Sequence, residues 1–152
     1  INTELALAIP LQILVAEDNL VNQKIIQKML GRMGYEIQIA ADGQKALEAM
    51  QQQQFDLIFM DVQMPNMDGL EATQQICERW PYQRPVIVAM TANAMQGDRE
   101  MCLEAGMDDY ISKPVVPLAV EKMLEKWGRK ILLKKEVRLS NSTHEAELTQ
   151  EI

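Results

Sequence analysis

No stretch of this chain stays apolar for the roughly 20 residues a bilayer-spanning helix needs, and its longest apolar runs are strand-sized. No helical membrane span or membrane contact is therefore expected. The first ten residues, INTELALAIP, lack the basic-then-apolar order of a secretory leader and start on Ile, as expected of a fragment from a longer polypeptide. Cysteine is scarce: Cys77 and Cys102 are the only two and have no CxxC spacing. Neither a disulfide framework nor a zinc site is supported, and reduced thiols in the cytoplasm fit. Positive charge is also short, with 15 Lys and Arg against 22 Asp and Glu for a formal net charge of -7. Nucleic-acid phosphates would be repelled, so nucleic acid is not an expected partner. The single histidine, His144, stands in a polar tail with no ATP-binding glycine motif in the chain, which argues against a phosphorylated histidine here.

What is present is enough for one core. The 152 residues are 47% hydrophobic, sufficient for one domain and too few for two. Short apolar runs alternate with helix-period segments. Leu11 to Ala16 reads as a strand covered on both faces, and Val21, Ile25, Met29 and Met33 then recur every four residues as on a helix. Tyr35 to Ala40 is the second strand, followed by a helix from Gln44 to Gln54 that Asp42 caps and that buries Ala46, Leu47 and Met50. Phe55 to Met60 is the third strand. MPNMDG then turns the chain into a helix, Leu70 to Trp80, whose inward face carries Leu70, Thr73, Ile76 or Cys77, and Trp80. Pro85 to Met90 is the fourth strand, Ala94 to Ala105 a helix ending at Gly106, and Met107 to Ile111 the fifth strand. Pro114 and Pro117 open a last helix bearing Val116, Val120, Met123 and Trp127. Five alternating units imply an α/β fold, a parallel sheet with helices on both faces. The expected division is a linker over residues 1–10, a domain over 11–130, and a helical extension or flexible tail over 131–152.

Four of the five apolar runs end beside reactive polar residues: Glu17-Asp18, Asp61, Thr91 and Lys113. At the carboxyl edge of one parallel sheet, acids, a hydroxyl and an ammonium would converge, a set suited to phosphoryl transfer onto a carboxylate. Asp61, at the end of the third strand, is the candidate nucleophile. Glu17 and Asp18 are candidate donors to a hard divalent cation, which prefers carboxylate, carbonyl and water oxygens. Lys113 offers a compact mobile charge to pair with Asp61 and then with phosphate.

AEDN at 16–19, FMDVQMPNMDG at 59–69, MTAN at 90–93 and YISKP at 110–114 together resemble the receiver (response-regulator) domain of two-component signalling, over about residues 10–130. That resemblance implies a flavodoxin-like, doubly wound five-stranded parallel sheet of strand order 2-1-3-4-5 with five helices. It further implies that Asp61 is the phosphoacceptor, taking a phosphoryl group from a phosphohistidine on a histidine kinase or histidine phosphotransfer protein, with Mg2+ beside it. By the same resemblance, Asp18 and Asp61 ligate the ion directly, Glu17 acts mainly through water, and the backbone carbonyl of Gln63 contributes. Thr91, Lys113 and Tyr110 form the phosphate-binding switch, which alters a surface of the fourth helix, fifth strand and fifth helix that can also serve self-association. Pro65, Gly69 and Pro114 are structural, the Lys113-Pro114 bond resembling a family cis peptide. Such a domain catalyses only its own phosphorylation and dephosphorylation. EDNxxNQ and TANAM are similar to receivers of hybrid sensor histidine kinases.

Plainer readings stand beside these. A strand-end Asp is commonly a helix cap or solvated loop residue, but three acids at two converging strand ends, beside Thr91 and Lys113, point further. Asp68 and Gly69 read as cap and turn, Asp108 and Asp109 as solvated, and Asn22 equally as a first-turn polar residue. Met95 and Met101 could lie on an exposed helix face, suited to plastic contacts. A stand-alone response regulator and a non-phosphorylated receiver-like binding module are the alternative functions. An aspartyl phosphatase would carry a DxD motif after the first strand, and none is present.

Overall fold

The computed structural model describes residues 2–93 and 95–150. Five strands, β1 (Ile13–Ala16), β2 (Ile37–Ala40), β3 (Leu57–Asp61), β4 (Val86–Thr91) and β5 (Asp109–Ser112), form one sheet in the order β2-β1-β3-β4-β5. Every pairing is parallel, so all five carboxyl ends share one edge. This is the flavodoxin-like arrangement expected. Helices α2 (Leu20–Arg32), α3 (Gly43–Gln52), α4 (Gly69–Arg79), α5 (Gln96–Ala105) and α6 (Pro117–Gln150) are the five expected from periodicity, and a short α1 (Leu5–Ala8) precedes them. Among the described residues no helix is long and apolar enough to cross a membrane.

Strand alternation separates two cores. Ile13, Val15, Leu57, Phe59, Val88 and Met90 point to one face, where Ile26 and Leu30 of α2 and Val120 and Leu124 of α6 cover them. Leu14, Ala16, Ile58, Met60, Ile87 and Ala89 point to the other, under Leu47 of α3, Ile76 of α4 and Cys102 of α5. Strands buried on both faces read as continuous apolar runs, because successive side chains leave opposite sides of the sheet.

The helices start where side chains replace the missing backbone acceptors. Asn19, Asp42 and Asp68 accept from the backbone N–H groups of Asn22, Lys45 and Glu71 at 3.0, 2.8 and 2.8 Å, the usual N-cap bond. At the far end of α5, Gly106 takes φ 107° and closes the helix in the left-handed region.

Three expectations about which side chains face solvent are corrected. The inward stripe of α2 is Ile26, Met29 and Leu30, continued by Met33 at its C-cap, whereas Val21 and Ile25 are 64% and 44% exposed. Four residues turn a helix by about 400°, so a strict i+4 row drifts about 40° per step and wraps off the buried face within three steps. Val116 lies before α6 and is exposed; its carbonyl accepts from the N–H groups of Ala119 and Val120 instead. Asp108 and Asp109 are not solvated. Arg84 holds Asp108 through two bonds of 2.9 and 2.8 Å, and Asp109 accepts from Lys126 and from the Trp127 indole at 2.7 and 2.9 Å.

Strand 2 starts at Ile37 rather than Tyr35: the Tyr35 N–H donates back to the Leu30 carbonyl at 3.0 Å at the end of α2, and its hydroxyl donates to the Ile9 carbonyl at 2.6 Å. The segment expected as a linker over residues 1–10 contributes Leu5 and Ile9 to the core, both 2% exposed. Towards the other terminus, α6 continues through Gly128 to Gln150. Ala94, the expected start of the fourth helix, and the side chain of His144 lie outside the described residues.

Gly69 joins fold to site. A Cβ there would fall on the Asp61 carbonyl oxygen and come within 2.9 Å of Met60 Cγ, so the turn into α4 closes directly beneath the end of β3. Gly69→Ala is expected to cost about 1–3 kcal/mol by overpacking, seen as a lower urea midpoint at unchanged slope. A midpoint equal to the parent's would contradict this packing.

Candidate functional site

The strand order decides which residues meet. β1 and β3 are neighbours, so Glu17 and Asp18 emerge beside Asp61, and β4 and β5 place Thr91 and Lys113 on the other side. Carboxylate oxygens of Glu17, Asp18 and Asp61 lie within 4.8 Å of one another. They open onto a cavity of about 360 Å³ that Gln63, Thr91 and Lys113 also line. Glu17 and Asp61 are buried, at 0% and 5% exposure, while Asp18 stands exposed at the mouth.

Lys113 bridges the two buried acids. Its Nζ donates to Asp61 Oδ2 at 2.9 Å and to Glu17 Oε2 and Oε1 at 3.0 and 3.3 Å. Glu17 is held from below as well: Asn22 Nδ2 donates to Oε1 at 2.8 Å and Gln23 Nε2 to the Glu17 carbonyl at 2.6 Å. Asp61 Oδ1 accepts from the Gln63 N–H at 3.2 Å. The Lys113-Pro114 peptide is cis.

The electrostatics make Asp61 the poised group. Burial, and then the approach of Glu17, push its carboxyl up from 3.8 to about 7 against the pull of Lys113. For Glu17, burial would raise the carboxyl, but hydrogen bonds with Asp61, Asn22 and Lys113 outweigh it and leave it below its ordinary value. Burial works against the Lys113 ammonium, yet its bonds to Asp61 and Glu17 hold its pKa above the ordinary lysine value. One more positive charge near the acids would release the proton that Asp61 retains near neutrality.

Thr91 lines the cavity with its hydroxyl already engaged. Its hydroxyl donates to the Asn93 carbonyl and accepts from the Asn93 N–H, both at 3.1 Å. Tyr110 does not line the cavity; its half-buried ring packs against the core under α5. Pro65 and Gly69 shape the loop after Asp61, with the Pro65 carbonyl accepting from Met67 and the Gly69 N–H donating to Val62. Asn22 is both a first-turn polar residue and a partner of the site: its backbone N–H joins the α2 cap while its amide orients Glu17. The EDNxxNQ spacing carried that signal. Asp98, at the start of α5 and on the cavity wall, had none.

Comparison with known proteins agrees with this geometry. The family model described as "Response regulator receiver domain" matches residues 13–125. Hybrid signal transduction histidine kinase I of Dictyostelium discoideum is 46% identical over 116 residues, covering 72% of this chain and 7% of the kinase. Among solved structures, the receiver domain of sensor histidine kinase PA1611 from Pseudomonas aeruginosa, with a magnesium ion coordinated in its active site cleft, is 43% identical. It has a TM-score of 0.72 and covers 78% of this chain and 97% of that one. The receiver domain of the Saccharomyces cerevisiae response regulator Ssk1, solved with the histidine phosphotransfer protein Ypd1, is 33% identical. Its TM-score is 0.74, with 77% and 88% covered. This chain spans only 5% and 7% of the first two curated relatives it matches.

Proposed function

Because this chain belongs to the response regulator receiver domain family, we propose that Asp61 accepts a phosphoryl group from a phosphohistidine and that the product resets a docking surface. The observation carrying this reading is the convergence of Glu17, Asp18 and Asp61 within 4.8 Å under a lysine that touches two of them. In the step itself, an Asp61 oxygen forms the new P–O bond as the donor's P–N bond breaks, and the departing imidazole takes up a proton. Lys113 holds the nucleophile before transfer and follows the phosphoryl oxygens after it. Thr91 gives up its bonds to Asn93 and turns its hydroxyl to the phosphate, leaving room for Tyr110 to swing inward.

The donor set fits Mg2+. Three carboxylates converge on an open cavity where Lys113 already marks the favoured place for positive charge, and a hard oxygen-seeking ion matches them. Asp18 and Asp61 would hold it directly, with Glu17 through water and the Gln63 carbonyl. Bound there, magnesium would supply positive charge to offset the negative charge of the nucleophile and of the incoming phosphoryl group.

The donor is read as a histidine kinase or a histidine phosphotransfer protein. In support, Leu20, Val21 and Ile25 stand exposed along α2, and Ile25 lines a small apolar hollow with Pro114 and Val115 beside Lys113. An apolar partner surface seated there would bring its histidine to the cavity mouth. Met95, Met101 and Leu103, exposed near and on α5, suit the responding face with β5 and α6, including self-association. Residues 11–130 are proposed as the receiver unit, in a parent hybrid sensor kinase, with 1–10 leading in and 131–152 leading out.

The test separates donor docking from chemistry. Ile25→Asp is expected to slow transfer from a phosphorylated histidine phosphotransfer protein by about tenfold or more, equivalent to about 1.4 kcal/mol, while uptake from acetyl phosphate stays unchanged. Equal loss with both donors would count against the α2 surface. No uptake from either donor by the parent protein would remove the whole reading.

A further inference from the structure

Tyr110, the ring proposed to move, is held from outside by a residue that the receiver motifs do not include. The guanidinium of Arg99 lies over its face, 4.5 Å from the ring centroid. The ring also packs against the core cluster that holds Ala89, Cys102 and Met107. Arg99 is otherwise free to choose: it is exposed on α5 and, among the described residues, makes no ion pair. A cation positioned over an aromatic face is attracted by the ring's negative quadrupole, and here the ring is also held by the core. This contact coincides with the resting arrangement of the rest of the switch, in which Thr91 is bonded to Asn93 and Lys113 to Asp61.

We propose that Arg99 is a positioning residue for the switch, a latch that holds Tyr110 in its resting place and so sets how much of the chain occupies the phosphorylated-like state. The inference rests on the phosphoacceptor reading above. An inward swing of Tyr110 must break the stack, because the ring leaves while α5 keeps the Arg99 backbone. The energy given up biases the equilibrium between the two surfaces towards rest. Arg99 follows Asp98, which lines the acidic cavity, so one turn of α5 touches both the site and the ring.

The experiment titrates beryllofluoride, a phosphoryl mimic, into the full chain with Mg2+ and reads the dissociation constant by calorimetry. An exposed stack of this kind contributes about 0.5–1 kcal/mol, so Arg99→Ala is expected to tighten binding by about two- to fivefold. Arg99→Lys should fall between Ala and the parent. In a Tyr110→Leu background, Arg99→Ala should have no effect, since the cycle isolates the pair. A 19F spectrum of fluorotyrosine-labelled Arg99→Ala should also show the Tyr110 resonance displaced towards its beryllofluoride-bound position before any ligand is added. Unchanged or weaker binding in Arg99→Ala, or an equal shift without the Tyr110 ring, overturns the latch while leaving the phosphoacceptor reading intact. Failure of the parent to bind beryllofluoride overturns both.

Discussion

Asp61→Asn is expected to abolish Mg2+-dependent phosphoryl uptake and, at the same time, to make the protein more stable near neutral pH. The first effect follows from removing the nucleophile. The second follows from what the buried site costs the fold. The Asp61 carboxyl is raised from 3.8 to about 7 by burial and by Glu17, so between those values the native chain keeps a proton that the unfolded chain has lost. Stability contributed by this group is therefore present at low pH and declines as pH rises from about 4 to 7. A shift of about three units corresponds to roughly 4 kcal/mol as an upper limit, and Asn gives back part of it by surrendering the bond from Lys113. A net gain of roughly 1–3 kcal/mol, some 2–10 °C in melting temperature, is expected at pH 8. It should shrink towards zero at pH 4. A variant less stable than the parent at pH 8 would mean that Lys113, not Glu17, dominates the surroundings of Asp61.

Asp18→Ala is expected to weaken Mg2+ binding by at least about 100-fold, since even indirect supports of a metal site cost 10–100-fold when removed. Its melting temperature without metal should stay within a degree or two, because Asp18 is exposed at the cavity mouth and surface changes of this kind are nearly neutral. That combination marks a ligand and not a scaffold residue. In the parent, binding should also weaken by up to tenfold per pH unit below about 7, where the metal must displace the proton on Asp61. An Asp18→Ala titration that overlays the parent's would detach this residue from the metal role.

The central strands were legible because burial on both faces leaves no ambiguity: ILVA and LIFM admit no polar side. The site was legible for a related reason. Parallel strands end at one edge, so residues just past each apolar run had to meet once the order was known. What stayed hidden depended on angles and on cross-element contacts. The face of α2 was misjudged because i+4 spacing ignores the drift of a 3.6-residue turn, which put Ile26 inside and Ile25 out. Asp108 and Asp109 were misjudged because their partners, Arg84 and Trp127, come from a different strand approach and a different helix. The Arg99–Tyr110 stack gave no local sign, since the two residues lie on α5 and β5 and meet only when helix and sheet pack. The burial of Leu5 and Ile9 was equally silent, because an apolar residue in a lead-in segment looks the same whether or not α6 presents Gly128 to receive it.

The central claim is that one carboxylate, at the end of β3, is the phosphoacceptor. Intact-mass spectrometry followed by peptide mapping, after incubation with acetyl phosphate and Mg2+, tests it most directly. The expected result is a single added phosphoryl group, released by hydroxylamine as an acyl phosphate should be, dependent on Mg2+ and located on Asp61. A phosphoryl group on any other residue, or none under conditions where Mg2+ binds, would contradict it.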